Sequence, residues 1–367
     1  MNFKVFVISL KQEKNEKTIE KNDFTNYKIA RRYIGNSKIG YTWFYFKFFL
    51  TNFFLSTYLS FKYKIKIIHY NNSPNFIILS CIIPKLFGTK LIIDNHDIVP
   101  AMVQSKFPNK FLISAARFEE KISNNFANKI LCADHNQYDY LINRNFKKEK
   151  ITPILNIPGE ALINYIDKNE QEKIVLPNID SDKVNMVYHG TISYRLGIDL
   201  ILKSIKSITE ELDNFKFHLI GKGDLLKTIK KNIIELNIED KVIIYDKYIP
   251  YTLLPLILNR MQIGIIGNRQ EFLSQYMLPV KLLEYINFKI PVIAPSNSIL
   301  NRYFTKDMIC FYTPENIEEM AEKILYLYKN PDARKIYAEK AFCFTKKYNY
   351  ETEMKKYQDI IDHLMTT

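Results

Sequence analysis

The chain has 367 residues, of which 47% are hydrophobic and 25% charged, which suggests two domains and excludes a peptide, a small zinc module, a disulfide knot and wholesale disorder. Lysine and arginine number 52 against 39 aspartates and glutamates, giving a net charge of +13. This surface should attract nucleic acid, anionic lipid or anionic small molecules, although a codon bias toward Lys, Asn, Ile and Tyr would raise the charge equally.

The chain begins with an apolar segment, residues 1–10, that is too short for a signal peptide with a cleavage site. It is better interpreted as a first buried strand, so the protein is expected to stay in the cytoplasm. The four cysteines lie far apart, with no CxxC motif and no histidine at metal-ligand spacing, and they indicate small buried hydrophobes rather than a disulfide framework or zinc site; they are Cys81, Cys132, Cys310 and Cys343.

Short Val- and Ile-rich runs alternate with segments of helical periodicity along the chain. This alternation predicts parallel sheets built from right-handed βαβ units, with helices on both faces. The polar stretch 167–182 has no helical face and predicts a linker between two α/β halves. Strands are predicted at 4–9, 66–71, 90–95, 128–134, 184–190, 215–221, 241–246, 263–267, 290–295 and 308–312, and a helix at 117–128.

The N-terminal half contains a long stretch without any acidic residue, between Asp23 and Asp94, that carries ten basic residues. Codon bias does not explain so long a gap. Within it, residues 41–63 hold twelve aromatic side chains interleaved with Lys47 and Lys62.

Three structures are compatible with residues 41–63. A helix lying in the membrane interface, with lysines on anionic headgroups, is favoured over a core helix, and a bilayer-spanning helix is the least favoured because it would separate the first strand from its sheet. Surfaces that combine basic and aromatic side chains also bind nucleic acid, but no recognised nucleic-acid module surrounds this segment.

The densest chemical signal lies in residues 278–294. Pro279 suits the first position of a helix, whose free N–H groups and dipole would face an anion. Lys281 adds a positive charge in the first turn, and Glu284 could accept hydrogen bonds from a pair of hydroxyls such as those of a ribose. Alternatively, Glu284 is a solvated helix residue with Lys281 as its partner.

Further basic and glycine residues follow neighbouring strands. Gly190 and Arg195 come after the strand at 184–190, and Lys222 lies between two glycines after the next strand. Three strand ends therefore offer Gly, Arg and Lys to one site, an arrangement that binds a diphosphate.

These segments, with residues 246–250, closely resemble the C-terminal domain of family-4 glycosyltransferases of the GT-B fold. In the N-terminal half, residues 67–76, 92–107 and 154–160 resemble the segments that these enzymes carry around a functional histidine and before the linker. The resemblance runs from about residue 66 to the C-terminus, whereas the first 60 residues match only in general layout.

The resemblance implies two Rossmann-like, doubly wound domains facing across a cleft. The acceptor would bind to residues 1–170, the linker would be 171–183 and the nucleotide sugar would bind to 184–345, while a C-terminal helix at 346–367 could pack back on the first domain. The implied activity is retaining, metal-independent hexosyl transfer from a UDP- or GDP-sugar, with no cofactor.

Together with the aromatic segment, the resemblance indicates a lipid-linked saccharide acceptor in bacterial surface polysaccharide biosynthesis, as in capsule or lipopolysaccharide. The protein would be cytoplasmic and peripherally bound to the inner face of the cell membrane. Its partners would be the donor, the acceptor and the anionic membrane surface, and nucleic acid is not expected.

The family's roles can be carried over to matching positions. Glu284 would hold the donor ribose, Arg195 would neutralise the departing diphosphate and Lys281 would assist. His96 would face the transferred sugar, and Asp97 beside it would orient it or touch the acceptor. Further donor contacts would come from the strand ends, the turn against the base and the segment before Glu284: Gly190, Thr191, Gly221, Lys222, Tyr248, Ile249, Pro250, Met277, Leu278 and Pro279.

Three features depart from the family's pattern. Tyr276 stands where a glutamate is common, so the sugar contacts of that glutamate would have to come from backbone at 277 and 278 or be absent. Ala101 stands where related sequences often have glutamate. The loop at 9–17 contains no glycine. These departures affect the acceptor contacts more than the donor contacts.

Other polar residues are weaker candidates. His189 and His135 end strands and could approach the cleft, His189 more readily because Gly190 follows it, whereas His69 fits a core histidine on an apolar strand. The DSD motif at 180–182 lies before a strand instead of after one. Asn268 and Arg269 could border the donor or lie in a plain loop. His218 and His363 are not expected in a site.

Two other functions remain open. A nucleotide-sugar epimerase or hydrolase could use the same scaffold, and it would release or epimerise sugar without an acceptor. A non-catalytic partner in a glycosyltransferase complex, compatible with Tyr276 and Ala101, would bind the donor without transferring it.

Overall fold

The computed structural model describes residues 3–11, 16–31, 33, 35, 37–72, 74–107, 109–159 and 178–366. Arg32, Glu160, residues 12–15 of the loop after the first strand and residues 171–177 of the predicted linker lie outside these ranges. The chain divides into two compact units. The first comprises Met1–Leu131, Leu141–Thr152 and Ile360–Thr367, and the second Cys132–Tyr140 and Pro153–Asp359.

The first unit begins with a three-stranded sheet in the order β1-β3-β2. Strand β1 (Val5–Lys11) runs parallel to β3 (Phe24–Arg31), and β2 (Ile19–Lys21) pairs antiparallel with β3. The first strand is present, but the prediction that it is buried is wrong, because most β1 side chains are half-buried. This small sheet is also separate from that of the strand predicted at 66–71.

Helix α1 (Lys38–Tyr63) covers the aromatic segment of the sequence. The Ser37 side chain accepts a hydrogen bond from the Gly40 N–H and caps its N-terminus, and Lys64 ends it in a left-handed conformation. On the inner side, Phe49 stacks on Phe76. In the part of the chain that the structure describes, no helix is long and apolar enough to cross a membrane.

A second sheet of the first unit has four strands in the order β4-β5-β6-β7. Its first two strands are parallel, so their carboxyl ends meet at one edge. The strands are β4 (Ile67–Asn71), β5 (Lys90–Asn95), β6 (Lys129–Cys132) and β7 (Ile151–Pro153).

The helices around this sheet include α4 (Lys110–Phe126). It begins seven residues before the predicted helix at 117–128, because the Asn109 side chain accepts from the N–H groups of Phe111 and Leu112 and caps the helix there. The others are α2 (Ile82–Leu86), α3 (Val99–Lys106) and α5 (His135–Asn143), which begins in the second unit.

The second unit contains a six-stranded sheet in the order β10-β9-β8-β11-β12-β13, with every neighbouring pair parallel. Numbered along the unit, this is the 3-2-1-4-5-6 order of a Rossmann-like sheet, which changes direction between β8 and β11. The six strands predicted for this half are confirmed: β8 (Val184–His189), β9 (Phe215–Ile220), β10 (Val242–Tyr245), β11 (Ile263–Ile265), β12 (Val292–Pro295) and β13 (Cys310–Tyr312).

Helices cover both faces of this sheet and bury two hydrophobic clusters. Ile201 and Ile324 belong to one cluster, and Leu282 and Ile286 to the other. The helices of this unit are α6 (Ile198–Ser207), α7 (Leu226–Glu235), α8 (Leu254–Leu258), α9 (Val280–Asn287), α10 (Ser298–Tyr303), α11 (Ile317–Lys329) and α12 (Pro331–Lys347). Helix α13 (Tyr350–Thr366) begins in this unit, and its residues from Ile360 belong to the first unit.

Candidate active site

The candidate site lies at the carboxyl end of β8, beside the position where the order of the six-stranded sheet changes direction. Open α/β sheets bind ligands at this position because the loops on the two sides diverge. Strand β8 ends at His189, and α9 packs its first turns beside that end. Pro279 caps α9 without a side-chain hydrogen bond, one residue earlier in the helix than predicted.

Glu284 on α9 is buried against His189. The Nε2 atom of His189 lies 2.6 Å from Oε2 of Glu284, and the residues are 8% and 7% exposed. The alternative in which Glu284 is a solvated helix residue is therefore wrong. One turn of α9 places the carboxylate at the strand end, where it can accept hydrogen bonds.

Lys281, one turn earlier on α9, lies over β8. Its Nζ atom donates to the Tyr188 hydroxyl at 2.6 Å and lies 3.8 Å from the ring centroid. Burial lowers the pKa of Lys281 to about 7; the Glu284 carboxylate opposes this shift and Arg195 adds to it. A nearby anion would favour the protonated form.

The loops after β8 and β9 are held together by their backbones. The Gly190 N–H donates to Ile220 O at 2.9 Å, and the Ile192 N–H to Lys222 O at 2.8 Å. Gly221 has φ +150°, and a Cβ there would lie 1.8 Å from the Gly190 carbonyl oxygen, so only glycine allows this approach. The arrangement leaves Thr191 and Lys222 exposed at the strand ends.

Arg195 lies in a turn (Tyr194–Leu196) that precedes α6. Its side chain is exposed, and Nη1 lies 3.1 Å from the sulfur of Met277. Two of the predicted donor residues, from different segments of the chain, are thus in contact.

Arg269, which the sequence placed either beside the donor or in a plain loop, braces this turn. Its guanidinium makes two hydrogen bonds with Asp199, at 2.9 and 2.7 Å, and donates to Tyr194 O at 2.6 Å. At Gly197, with φ +61°, a Cβ would lie 1.9 Å from Gly267 O. The turn with Arg195 therefore rests directly on the end of β11, a role that the spacing of these residues does not reveal.

The segment before α9 is held by α5. The Gln137 side chain donates to Tyr276 O at 2.9 Å, and Asn136 to Gln275 O at 2.7 Å. Sequence reasoning missed both residues, because they lie about 140 positions away. Met277, Leu278 and Pro279 follow directly, so their backbone is fixed by these contacts.

The predicted base-binding residues lie on the β10 side of the site. Tyr248 is three-quarters exposed, and Ile249 packs against the hydrophobic cluster that includes Leu282. Among the described residues no hydrogen bond joins Tyr248 or Ile249 to Lys281 or Glu284. Burial, and then the Glu284 carboxylate, raise the pKa of the neighbouring Tyr251.

In the first unit, His96 follows β5. Its Nε2 atom lies 3.2 Å from Oδ2 of Asp94 and 3.3 Å from Oδ1 of Asn71, and its backbone N–H donates to Oδ1 of Asn72. The hydrogen bond with Asp94 raises the pKa of His96 against the opposing effect of burial. Asp97 is fixed through its carbonyl, which accepts from Asn72 at 2.7 Å.

The interpretation of His69 as a core histidine is wrong. Its side chain is half-buried, and Nε2 lies 3.3 Å from Oδ2 of Asp94. Parallel strands β4 and β5 bring His69, Asp94 and His96 together at one sheet edge. Burial opposes ionisation of Asp94, but hydrogen bonds from both histidines hold its pKa well below the usual range.

The other weak candidates have structural partners. His135 Nδ1 lies 2.6 Å from the Tyr303 hydroxyl, and burial lowers its pKa. His218 is buried beside Asn185, and its pKa is lowered to about 4 by burial. Asp180 of the DSD motif accepts from the Asp182 N–H. Within the described ranges, no group of three or more His, Cys, Asp or Glu side chains could hold a metal ion.

Comparison with known sequences points to one family. Residues 169–342 match the model described as glycosyl transferases group 1. The chain is 26% identical over 242 residues to the chitobiosyldiphosphodolichol beta-mannosyltransferase of Debaryomyces hansenii, covering 60% of this chain and 51% of that protein. It thus spans about half the length of this curated relative.

Solved structures share the fold of this chain. The match to the sucrose-phosphate synthase of Thermosynechococcus elongatus has a TM-score of 0.74 and 15% identity, covering 99% of this chain and 89% of that one. Anabaena HepE in complex with UDP gives a TM-score of 0.66 at 12% identity, covering 85% and 82%. At these identities the likeness concerns the fold, and it confirms the predicted α/β class with two Rossmann-like domains.

Proposed function

We propose that this chain, whose residues 169–342 match the family model described as glycosyl transferases group 1, transfers a sugar from a nucleotide diphosphate donor to a saccharide acceptor. The observation that carries the proposal is the grouping of Lys281, Arg195 and the N-terminus of α9 around the end of β8, with the Glu284 carboxylate one turn further. Positive charge and free N–H groups suit a diphosphate, and a buried carboxylate suits the hydroxyls of a ribose.

The proposed mechanism uses the charge that develops on the leaving group. As the bond between the sugar and the diphosphate breaks, negative charge grows on the diphosphate. The acceptor hydroxyl oxygen would bond to the sugar, and its proton would pass to an oxygen of the departing phosphate. Arg195 and a protonated Lys281, aided by the helix N-terminus, would stabilise this charge without a metal. Thr191, Lys222 and the backbone at Gly190 and Gly221 would bind the phosphates, and the base would lie against Tyr248 and Ile249.

Donor binding tests this proposal directly. A panel of UDP- and GDP-sugars should raise the thermal midpoint of the full chain, because a ligand selective for the folded state stabilises it. Glu284→Ala should weaken the best ligand about 30-fold, in line with loss of charged hydrogen bonds worth about 2 kcal/mol. Glu322→Ala, at an exposed position of α11, is the matched control, and equal affinity in both variants would contradict the ribose contact.

The reaction type has its own tests. Transfer that survives EDTA would support metal independence, and the anomeric configuration of the product, read by NMR, tests the proposed retention. Inversion would contradict the retaining mechanism. Release of sugar without an acceptor would instead favour a hydrolase or epimerase.

We further propose a lipid-linked saccharide acceptor at a membrane surface. The yeast relative is named for transfer to chitobiosyldiphosphodolichol. In this chain the outward face of α1 is apolar and exposed, which supports membrane contact. The exposed side chains on this face are Trp43, Phe46, Leu50, Phe54, Tyr58 and Phe61.

Positive charge accompanies this apolar face. Lys47 Nζ lies 5.0 Å from the Trp43 ring centroid, and Lys62 donates to the Tyr58 hydroxyl at 2.7 Å. Lysines beside interfacial aromatics are suited to anionic headgroups. The proposed location is therefore the inner face of a cell membrane. That the acceptor belongs to surface polysaccharide assembly stays a prediction.

Vesicle binding tests the membrane proposal. The chain should sediment with phosphatidylglycerol vesicles and less with phosphatidylcholine, and the triple variant Phe46→Ser, Phe54→Ser, Phe61→Ser should lose at least tenfold in binding. Ile336→Ser, an exposed apolar position on α12, is the control. Unchanged binding of the triple variant would contradict the role of α1.

A further inference from the structure

One histidine, His189, touches Glu284. His189 closes β8 and Glu284 lies on α9; their 2.6 Å contact is buried on both sides. A buried carboxylate without a hydrogen-bond donor would be displaced or protonated. His189 is therefore in a position to determine the orientation of the Glu284 carboxylate.

The ring of His189 is itself fixed by Tyr285. The hydroxyl of Tyr285 accepts from the His189 backbone N–H at 3.1 Å and lies 3.0 Å from Nδ1. If the hydroxyl gives its single proton to Nδ1, the ring proton lies on Nε2. If the ring is an imidazolium, Nδ1 donates to the hydroxyl, which can then donate to Val187 O at 3.4 Å. In both states the Nε2 N–H points at Glu284.

This arrangement occupies one oxygen of the carboxylate. Within the described residues, the hydrogen bond to Glu284 is made at Oε2, and no hydrogen bond reaches Oε1. Tyr285 is fully buried, so the His189 ring that it holds cannot turn away from Glu284 without opening the core. The second oxygen thus keeps a fixed direction and a free acceptor capacity.

We propose that His189 is a positioning residue for nucleotide recognition: it holds Glu284 so that Oε1 accepts a hydrogen bond from the ribose 2′-hydroxyl of the donor. The inference rests on the proposed function and adds a specificity device to it. A glutamate held in one rotamer loses little side-chain entropy when the ligand binds.

A purely structural role for the pair makes a different prediction. If the contact only joined β8 to α9, its loss would weaken binding of any nucleotide equally. If His189 positions Glu284 for the ribose, its loss would weaken ribonucleotides and spare 2′-deoxyribonucleotides.

The experiment measures binding of UDP and 2′-deoxy-UDP, and of GDP and 2′-deoxy-GDP, to the full chain by calorimetry. The unchanged chain should prefer the better ribonucleotide over its deoxy form about tenfold, as expected for a hydrogen bond to a charged group. His189→Leu should reduce that preference to about twofold or less, with deoxynucleotide affinity unchanged.

Two further variants keep the test decisive if His189→Leu does not fold. His189→Gln, whose amide N–H can reach Glu284, should restore most of the ribose preference. Tyr285→Phe keeps the ring but removes the hydroxyl that orients it, and should lower the preference about threefold.

The outcomes separate the inference from the proposed function. A ribose preference that persists in His189→Leu and Tyr285→Phe, or an equal loss for both sugars, overturns the inference and leaves the proposed function in place. Failure of the unchanged chain to bind any nucleotide or nucleotide sugar overturns both.

Discussion

Each unit of the chain places a histidine against a carboxylate at the end of a parallel strand, and the two pairs differ in exposure. His189 and Glu284 of the second unit are less than a tenth exposed, with 2.6 Å between them. In the first unit, the His96 side chain is 45% exposed and lies 3.2 Å from Asp94, which it shares with His69.

The two histidines differ in how deeply the ring is enclosed by the protein. Tyr285 holds the far nitrogen of His189, so that ring is fixed in the core. His96 is half-exposed, and the hydrogen bond with the Asp94 carboxylate raises its pKa. The buried pair is suited to positioning a ligand contact, whereas the exposed pair is suited to a group that changes its proton or touches a substrate.

The largest expected effect is a loss of turnover when His96 of the exposed pair is replaced. His96→Ala should lower kcat about 100-fold, the low end for a group that assists at the reacting centre, while the dissociation constant of the donor changes less than twofold. Steady-state kinetics with calorimetric donor binding would measure both. His363→Ala, at an exposed position of α13, is the control, and a loss confined to donor affinity would remove the distinction between the pairs.

Another buried carboxylate, that of Asp134, is held by backbone N–H groups instead of a histidine. It caps α5 through its contact with the Gln137 N–H, and burial raises its pKa to about 7. The folded state therefore binds a proton that the unfolded state releases, and stability falls as the pH rises from about 4 to 7.

Asp134→Asn keeps a capping oxygen and removes this charge. Its stabilising effect should be about 2 kcal/mol larger at pH 8 than at pH 5, or 4–8 °C in the thermal midpoint. Asp213→Asn, at an exposed site in the second unit, should show no such difference. A shift independent of pH would show that Asp134 is ionised without penalty.

Lys281, beside the buried pair, makes donor binding depend on pH. Because burial lowers its pKa to about 7, its positive charge is present at pH 6 and largely lost at pH 8. Affinity for the nucleotide sugar selected in the panel should fall about tenfold over this range, since one proton is required for binding.

Lys281→Met should bind more weakly at pH 6 and lose most of this pH dependence. Lys231→Met, on the exposed side of α7, should behave like the unchanged chain. If the dependence persists in Lys281→Met, another group titrates in the site.

The smallest effect is expected from Asp94→Asn, which should lower the stability of the folded chain. The folded pKa of His96 is raised, so its stabilisation is present below about pH 6.5 and is lost as the pH rises through the raised value. The folded pKa of Asp94 is lowered, so its stabilisation is present above about pH 4 and is lost as the pH falls through the lowered value. The pair should therefore contribute most between about pH 4 and 6.5.

Because water screens the half-exposed His96, the variant should lose about 1 kcal/mol of unfolding free energy. Its thermal midpoint should fall by about 2–4 °C at pH 5.5 and by less at pH 8.5. NMR titration should also place the His96 midpoint at lower pH in the variant. An unchanged midpoint would show that Asp94 does not set the charge of His96.

Residues close together in the chain were well predicted. Pro279, Lys281 and Glu284 were assigned to one helix start, and Gly190 and Gly221 to strand ends, because turn chemistry and the 3.6-residue period are local. Their charges and contacts were harder to predict. Glu284 was compatible with either solvent or a ligand, and only the packing of α9 against β8 places it on His189.

Residues distant in the chain were missed for a physical reason. Gln137 holds the Tyr276 carbonyl, and Arg269 holds the turn with Arg195, across separations that no periodicity records. His69 was assigned to the core because its strand is apolar, yet β4 ends at the sheet edge where Asp94 lies. The register between parallel strands, rather than the pattern within one strand, decides such contacts.

The amino-acid sequence by itself determined the alternation of strands and helices, the division into two α/β halves and the acid-free aromatic helix, because these depend on composition and on periods of two and 3.6 residues. The tertiary structure alone decided which aromatic face of α1 is exposed, which carboxylate each histidine meets and which charges are buried. Those properties depend on which elements become neighbours, and burial then sets the energies of the polar groups enclosed between them.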